Sequence, residues 1–289
     1  MTYASGDLAA RLARLAGAGV AELRPAGSQH RWDHYRVLLA DGRAAFAKVA
    51  RTDLGGVFGA EARGLAWLGE PGAVPVPQVL GWDDATLMVS WVPPGQAAPA
   101  AAEGFGRELA RVHAAGADAF GAPWPGFIAS LPLPNEPAGS WPDWYARQRL
   151  QPYLHRAADA GTLRRADVQL VEAVMERVAE LAGPTEPPSR IHGDLWSGNV
   201  LWSDGRGWLI DPAAHGGHRE TDLAMLALFG APFLDRILAA YRETAPLADG
   251  WRSRLPLHQL HPLLVHVCLF GAAYRESTLS AARAALRAD

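Results

Sequence analysis

Hydrophobic positions along this chain recur with two different periods, and the change between them falls near residue 92. Before it, short apolar runs bounded by turn residues predict strands. Residues 35–39 and 44–50 flank Asp41-Gly42, a dipeptide suited to a tight hairpin, and residues 79–82 and 85–91 flank Asp83-Asp84. Between the two pairs, residues 55–68 place Val57, Gly64, Leu65 and Leu68 on one helical stripe, which the proline-rich stretch 71–78 ends. Residues 1–16 predict a short amphipathic helix, and residues 23–34, with Gly27, Ser28 and His30, read as a loop leading into the first strand. Beyond residue 92 the helical period dominates, over residues 103–113, 141–158, 165–181, 220–229, 233–243, 255–274 and 276–287. Residues 121–139 are Pro-punctuated and predict a long loop, of a length that is usually functional or mobile. The expected class is α+β: a small antiparallel sheet lobe, residues 1–92, then a larger, mainly helical lobe, residues 93–289, joined at about Ser90 to Gly95.

Two ionisable residues interrupt the apolar pattern of the first lobe. Lys48 sits in a strand, residues 44–50, that is otherwise apolar on both faces, and taking an ammonium out of water costs several kcal/mol unless an anion meets it. Glu61 lies at i+4 from Val57, on the inward stripe of the following helix. An ion pair Lys48–Glu61 is the expected resolution. The simpler alternative is a Lys that snorkels and a Glu on the edge of its helix.

The densest cluster of polar chemistry lies at Ile191-His192-Gly193-Asp194-Leu195-Trp196-Ser197-Gly198-Asn199, followed after one short strand pair by Trp208-Leu209-Ile210-Asp211-Pro212. Asp194 and Asn199 are five apart, the spacing of kinase catalytic loops, where the Asp accepts the proton of the attacking hydroxyl and the Asn holds magnesium; the later Asp211 takes the second metal role. Phosphoryl transfer asks the protein mainly to aim the nucleophile and neutralise charge on phosphate oxygens, which these groups can do. In kinases the Lys–Glu pair orients the lysine toward the nucleotide phosphates, and the backbone of the inter-lobe connector, here Ser90 to Val92, receives the adenine.

These residues resemble the fructosamine kinase (ketosamine kinase) family, a relative of the aminoglycoside and choline kinases. The resemblance rests on residues 192–199, with Trp-Ser where aminoglycoside kinases commonly have His-Pro, and on Asp211-Pro212-Ala213 through Gly217-His218-Arg219-Glu220-Thr221-Asp222. It extends to Phe46-Ala47-Lys48, the separation of Glu61, and a helix running from Trp141 to Arg149-Leu150. It implies a protein-kinase-like fold and ATP- and Mg²⁺-dependent phosphorylation of the C3 hydroxyl of a ketosamine, after which the adduct falls apart and frees its amine. By the same resemblance Asp194 is the base, Asn199 and Asp211 hold the metal, Lys48 and Glu61 clamp phosphate, and His192 and Asp222 brace the catalytic loop; Trp196, two residues from the proposed base, is the tryptophan expected to pack on the sugar. The phosphate loop departs from the pattern: where relatives often have consecutive glycines this chain has Gly27-Ser28-Gln29-His30, leaving Ser28 to offer a hydroxyl in place of backbone.

Composition narrows the partners. The formal net charge is −3 over 289 residues, with both signs interspersed, so no electrostatic footprint for nucleic acid or an anionic membrane is present. A single cysteine, Cys268, excludes an internal disulfide and suits a reducing, cytoplasmic setting. No signal peptide is read at the N-terminus. Residues 255–274 lack Asp, Glu, Lys and Arg, but their three histidines argue for a buried helix rather than a membrane span. His215-x-x-His218 has no cysteine and no third ligand at zinc-like spacing, so it reads as structural. Among eleven tryptophans, Trp124, Trp141 and Trp144 are further candidates for the acceptor wall. A monomer acting on a small molecule is expected, and the competing readings are a kinase for an aminoglycoside, choline or a sugar, or a nucleotide-binding regulator without catalysis.

Overall fold

The computed structural model describes residues 5–29, 31–53 and 55–287. Residues 1–4 of the expected N-terminal helix and His30 of the expected loop lie outside the described residues. The chain opens with helix α1 (Ser5–Ala16) and the strands β1 (Val20–Gln29), β2 (Trp32–Leu39) and β3 (Ala44–Ala50). After helix α2 (Val57–Gly69) come β4 (Val79–Asp83) and β5 (Thr86–Ser90), and the five strands form one antiparallel sheet ordered β1-β2-β3-β5-β4. Residues 23–34 were expected as a loop, and Pro25, Gly27 and Ser28 are indeed poor strand formers. The structure pairs them as a hairpin from Val20↔Leu39 to Gln29↔Trp32, with a register shift between Pro25 and Gly27 that absorbs the misfit.

Both faces of this sheet are covered. Leu8, Leu12 and Ala16 of α1 pack on Val37, Leu39, Ala45, Ala47 and Met88, while Phe58, Ala62 and Leu65 of α2 pack on Ala50, Leu87 and Val89. The apolar character of β3 on both faces follows from this sandwiching, and it leaves Lys48, only 4 % exposed, pointing toward α2.

The remainder is mainly helical. Helix α3 (Pro99–Ala114) leads to a small hairpin, β6 (Gly126–Ile128) and β7 (Leu131–Leu133), so the expected loop over 121–139 contains strands of its own. The helix expected over 141–158 is three pieces on one path: α4 (Trp141–Trp144), a π-helical turn (Tyr145–Leu150) and α5 (Gln151–Asp159). The π turn carries Arg149, buried, stacked 4.1 Å over Trp144 and donating to Asn135 Oδ1 at 2.6 Å and to Pro134 O. Arg149 thereby pins the end of the 121–139 segment. The helix expected over 165–181 is interrupted at Arg177, giving α6 (Arg165–Glu176) and α7 (Val178–Leu181).

Next come β8 (Ser189–Ile191), a 3₁₀ turn (Ser197–Asn199), β9 (Val200–Ser203), β10 (Arg206–Leu209) and β11 (His215–Gly217). Four helices finish the chain: α8 (Glu220–Phe229), α9 (Leu234–Thr244), α10 (Trp251–Phe270) and, after a 3₁₀ turn (Gly271–Tyr274), α11 (Arg275–Leu286). By length and composition α10 with its continuation could cross a membrane. In the fold its Leu257, Leu260, Leu263, Leu264 and Val267 are buried in a core shared with α5, α6 and α11.

Candidate active site

The strand pair β9–β10 is what brings the two acidic motifs together. Asp204 and Gly205, with φ of 49° and 72°, close it with the left-handed pair of residues that matches strand twist. Asn199 at its start then lies beside the Asp211 loop at its end, with Ile210 N donating to Asn199 O at 3.1 Å. Strand β11 returns to pair with β8, His215 opposite Ile191, and lays residues 211–214 along residues 192–196. The two loops are so close at Gly193 (φ 81°) that a Cβ there would stand 2.3 Å from Ala213 O. Asp211 itself has φ 54°, a conformation Asp tolerates better than most residues and one often found at functional sites.

The side chains then form two linked groups. Lys48 Nζ donates to Glu61 Oε1 at 2.8 Å and to Asp211 Oδ1 at 2.6 Å. Burial opposes the lysine charge, but the two carboxylates outweigh it and raise its pKa above the ordinary value. Burial and the charge of Asp211 push Glu61 upward against the pull of Lys48. The second group centres on Asn199, whose Nδ2 donates to Asp194 O at 2.8 Å, to Asp194 Oδ2 at 3.2 Å and to Asp211 O at 3.4 Å. Asp194 is half-buried, and removal from water, then the neighbouring Asp211 charge, push its pKa up to about 8, with the Asn199 hydrogen bond pulling the other way.

Beneath the loop lies a closed hydrogen-bond network. His192 Nε2 donates to Ile210 O at 2.8 Å, and Nδ1 accepts from Asp194 N at 3.2 Å, a tautomer consistent with its burial-lowered pKa. Asp222 is fully buried and accepts from His192 N at 2.7 Å, Gly193 N at 3.0 Å and His113 Nε2 at 3.1 Å. Tyr241 OH donates to His113 Nδ1 at 2.8 Å. Burial alone would raise the Asp222 carboxyl; the hydrogen bond from the His113 side chain, together with that from the His192 backbone, holds it below the usual range.

Two cavities meet at Lys48, Glu61 and Asp211, which line both. One, of about 230 Å³, is an apolar slot between Phe46, Leu87 and Val89 on one side and Leu201 and Ile210 on the other, reaching Ser90, Trp91 and Val92. Trp91 N makes the last ladder bond, to Ala44 O at 3.0 Å, and Val92 lies beyond it. The other, of about 340 Å³, holds Asp194, Trp196 and Asn199 and runs out to Trp124, Phe127, Phe229, His266, Phe270 and Tyr274.

Most of the candidates named from sequence therefore converge: Lys48, Glu61, Ser90, Val92, Asp194, Trp196, Asn199 and Asp211 line one cavity or both, with His192 and Asp222 directly behind. Gly27 and Ser28 do not; they are exposed strand positions, and it is Gln29 of that hairpin that lines the cleft. Trp124 lines the cleft, but Trp141 and Trp144 are buried in the core, stacked on Tyr145 and on Arg149. His218 does have acidic and histidine neighbours, Glu220 and His258, although His215 is not one of them. Arg254 already holds both oxygens of Glu220, at 2.6 and 2.9 Å, and His218 Nδ1 accepts from Glu220 N, so this cluster is built as a buried ion pair. Two features were missed from sequence. His266, Phe270 and Tyr274 recur at i, i+4 and i+8 into the cleft, a signal hidden by reading that stretch as wholly buried. Gly198 packs under the Trp196 indole, whose Cη2 would stand 2.2 Å from a Cβ there.

Solved structures share this fold. An ADP-bound aminoglycoside phosphotransferase, APH(2'')-Ib, superimposes with a TM-score of 0.63 over 99 % of this chain and 98 % of its own, at 15 % identity. Fold and site together define a phosphotransferase with the protein-kinase-like fold, a sheet-bearing N-terminal part and a helical C-terminal part. A crystallised protein from Thermobifida fusca, named for fructosamine-3-kinase, is 58 % identical with a TM-score of 0.95, covering 98 % of this chain and 100 % of its own. A Thermus thermophilus protein named for ketoamine kinase is 35 % identical over 91 % of this chain and 95 % of its own length. Mouse ketosamine-3-kinase is 36 % identical over 53 % of this chain and 49 % of its own. The fructosamine kinase family profile matches residues 24–288. The chain belongs to the fructosamine kinase family, and its enzymatic class is that of a kinase.

Proposed function

We propose that this protein uses ATP to phosphorylate the C3 hydroxyl of a ketosamine, a fructosamine or ribulosamine, and so starts the release of the glycated amine. The observation that carries the reading is the junction of two cavities at Lys48, Glu61 and Asp211: one apolar and flat-sided, as a base requires, the other polar at its floor, as a sugar hydroxyl requires. The purine enters the slot against the backbone of Ser90 to Val92. Lys48, oriented by Glu61, turns from Asp211 to the nucleotide phosphates, so the incoming charge replaces the carboxylate it now holds.

Asn199 and Asp211 fit a hard cation such as Mg²⁺. Asn199 spends its Nδ2 on Asp194 and Asp211 O, so its Oδ1 would be the atom left to hold such an ion together with the Asp211 carboxylate. When bound there, the ion supplies neutralisation of the β- and γ-phosphate oxygens. Asp194 accepts the proton of the C3 hydroxyl as that oxygen attacks phosphorus, with the Trp196 face holding the sugar ring. His192 and Asp222 hold the loop that carries Asp194. After transfer, enolisation toward C1 expels phosphate from C3, and hydrolysis of the resulting imine frees the amine. A monomer in the reducing cytoplasm, where ATP and intracellular sugars meet amines, suits this role.

The test is mass spectrometry of fructosyl-lysine, ribulosyl-lysine, an aminoglycoside and choline, each incubated with ATP and Mg²⁺. Gain of one phosphate on a ketosamine supports the reading; gain only on the aminoglycoside or choline refutes it. Asp194→Asn is expected to lower turnover by roughly 10²–10⁴-fold with nucleotide affinity retained, the ordinary contribution of a positioned base.

A further inference from the structure

We propose that the far wall of the cleft is a subsite for the amine half of the acceptor, and that it selects ketosamines whose nitrogen carries an apolar, best an aromatic, arm. The inference rests on the ketosamine reading above. In the acceptor, C3 and the nitrogen on C1 are three bonds apart. A substrate seated with its C3 hydroxyl at Asp194 and its sugar on Trp196 must send its amine substituent along the cleft, away from the phosphate-binding end.

What waits there is a cluster of rings. His266 lies 5.1 Å from Phe229, 5.4 Å from Phe270 and 4.7 Å from Tyr274 between ring centroids, and Phe270 and Tyr274 are 5.8 Å apart. Phe270 is 47 % exposed, a large apolar side chain turned to the open cleft, which an apolar arm would cover. The charges of the cleft point the same way. Its ionisable lining residues are Lys48, Glu61, Asp194, Asp211, His266 and Tyr274; Lys48 is already paired with two carboxylates, and burial keeps His266 uncharged, its Nδ1–H donating to Pro262 O at 2.6 Å. Among the described lining residues there is no arginine and no second lysine. A carboxylate placed beside the acceptor nitrogen, as in adducts of α-amino groups, finds neither a lysine nor an arginine along this wall to balance it. An alkyl or aryl arm meets only rings and aliphatic side chains.

The experiment uses one sugar, ribulose, on three amines: methylamine, benzylamine and glycine, with kcat/KM measured for each on the intact protein. The benzylamine adduct is expected to exceed the methylamine adduct by about tenfold or more, the usual range for filling an apolar pocket, and the glycine adduct to fall below both. Phe270→Ala and Tyr274→Ala are each expected to lower the benzyl-to-methyl ratio several-fold, with circular dichroism confirming the fold. Equal kcat/KM for the three adducts, preference for the glycine adduct, or a ratio that neither variant moves overturns this proposal and leaves the ketosamine reading standing. If none of the three is phosphorylated while an aminoglycoside or choline is, the ketosamine reading itself falls and takes this inference with it.

Discussion

Replacing Asp222 by Asn removes one charge from a site with no solvent, and the hydrogen bonds around it determine the outcome. The Asp222 carboxylate accepts from three donors: Oδ2 from His192 N and His113 Nε2, and Oδ1 from Gly193 N. An Asn side chain keeps one acceptor and adds two donors. With its oxygen in the Oδ2 position, its amide faces the Gly193 N–H; with the orientation reversed, it faces the His192 N–H. His113 can adjust by exchanging tautomers with Tyr241, but a backbone N–H cannot. One buried backbone donor is therefore left facing another, at about 1–3 kcal/mol, and the remaining bonds lose their charge assistance. Relief of the buried charge offsets part of this, so we expect a net loss of about 2–4 kcal/mol by urea denaturation at pH 7. The same change loosens the loop one residue before Asp194, and kcat is expected to fall by roughly 10–100-fold, because sub-ångström misplacement of a catalytic group is costly. A pH series supplies an independent check. The folded Asp222 carboxyl is held below its unfolded value near 3.8, so its stabilisation is fully present above about pH 4 and is lost as pH falls below it. The stability gap between wild type and Asp222→Asn should narrow below pH 4. An unchanged urea midpoint at pH 7, or a gap that does not depend on pH, would refute the network as described.

Three further outcomes are expected. Asp194, raised to about 8, must be ionised to act, so the acid limb of kcat/KM for nucleotide should lie near pH 8, while the limb for acceptor at saturating Mg²⁺-nucleotide should lie lower; coincident limbs near pH 4 would mean that the site does not raise this carboxyl. Gly198→Ala places a Cβ against the Trp196 indole and should raise the acceptor KM about tenfold with nucleotide affinity by calorimetry unchanged, whereas an unaltered KM would mean that Trp196 does not touch the sugar. Glu220 is opposed by burial but held down to about 2 by His258, whose Nε2 lies 3.5 Å from its Oε2, and by the hydrogen bonds from Arg254, so it contributes on the order of 3 kcal/mol above pH 4.5 that is lost progressively toward pH 2; Glu220→Gln should lower stability at pH 6 but scarcely at pH 2.5, and equal losses at both values would contradict the pairing.

Much of the site was legible in the residues because its chemistry demands particular side chains at particular spacings. A lysine in a strand apolar on both faces, a glutamate on an inward helical stripe, and Asp194, Asn199 and Asp211 around one short strand pair are local facts with a narrow range of physical explanations. Segments governed by pairing were not legible. Strand β1 contains Pro25, Gly27 and Ser28, which disfavour a strand locally, and only the ladder offered by β2 overrides them. The π turn at residues 145–150 has no local mark either; it carries buried Arg149, whose acceptors at Asn135 and Pro134 come from another segment.

By itself, then, the order of residues determined the α+β class and the acidic and amide groups that converge, since each follows from periodicity or from spacing along a few turns of chain, and it carried the motifs through which the chain resembles its family. Which of the further tryptophans line the cleft was decided only in three dimensions: Trp124 reaches it beside Trp196, the one singled out from sequence, while Trp141 and Trp144 are spent on the core. So was the aromatic wall of Phe229, His266, Phe270 and Tyr274, and the displacement of Gly27 and Ser28 from the cavities. A ring is equally at home in a core or on a cavity wall, and what separates the two is which neighbours arrive from hundreds of ångströms of chain away, a matter of packing that no local pattern records.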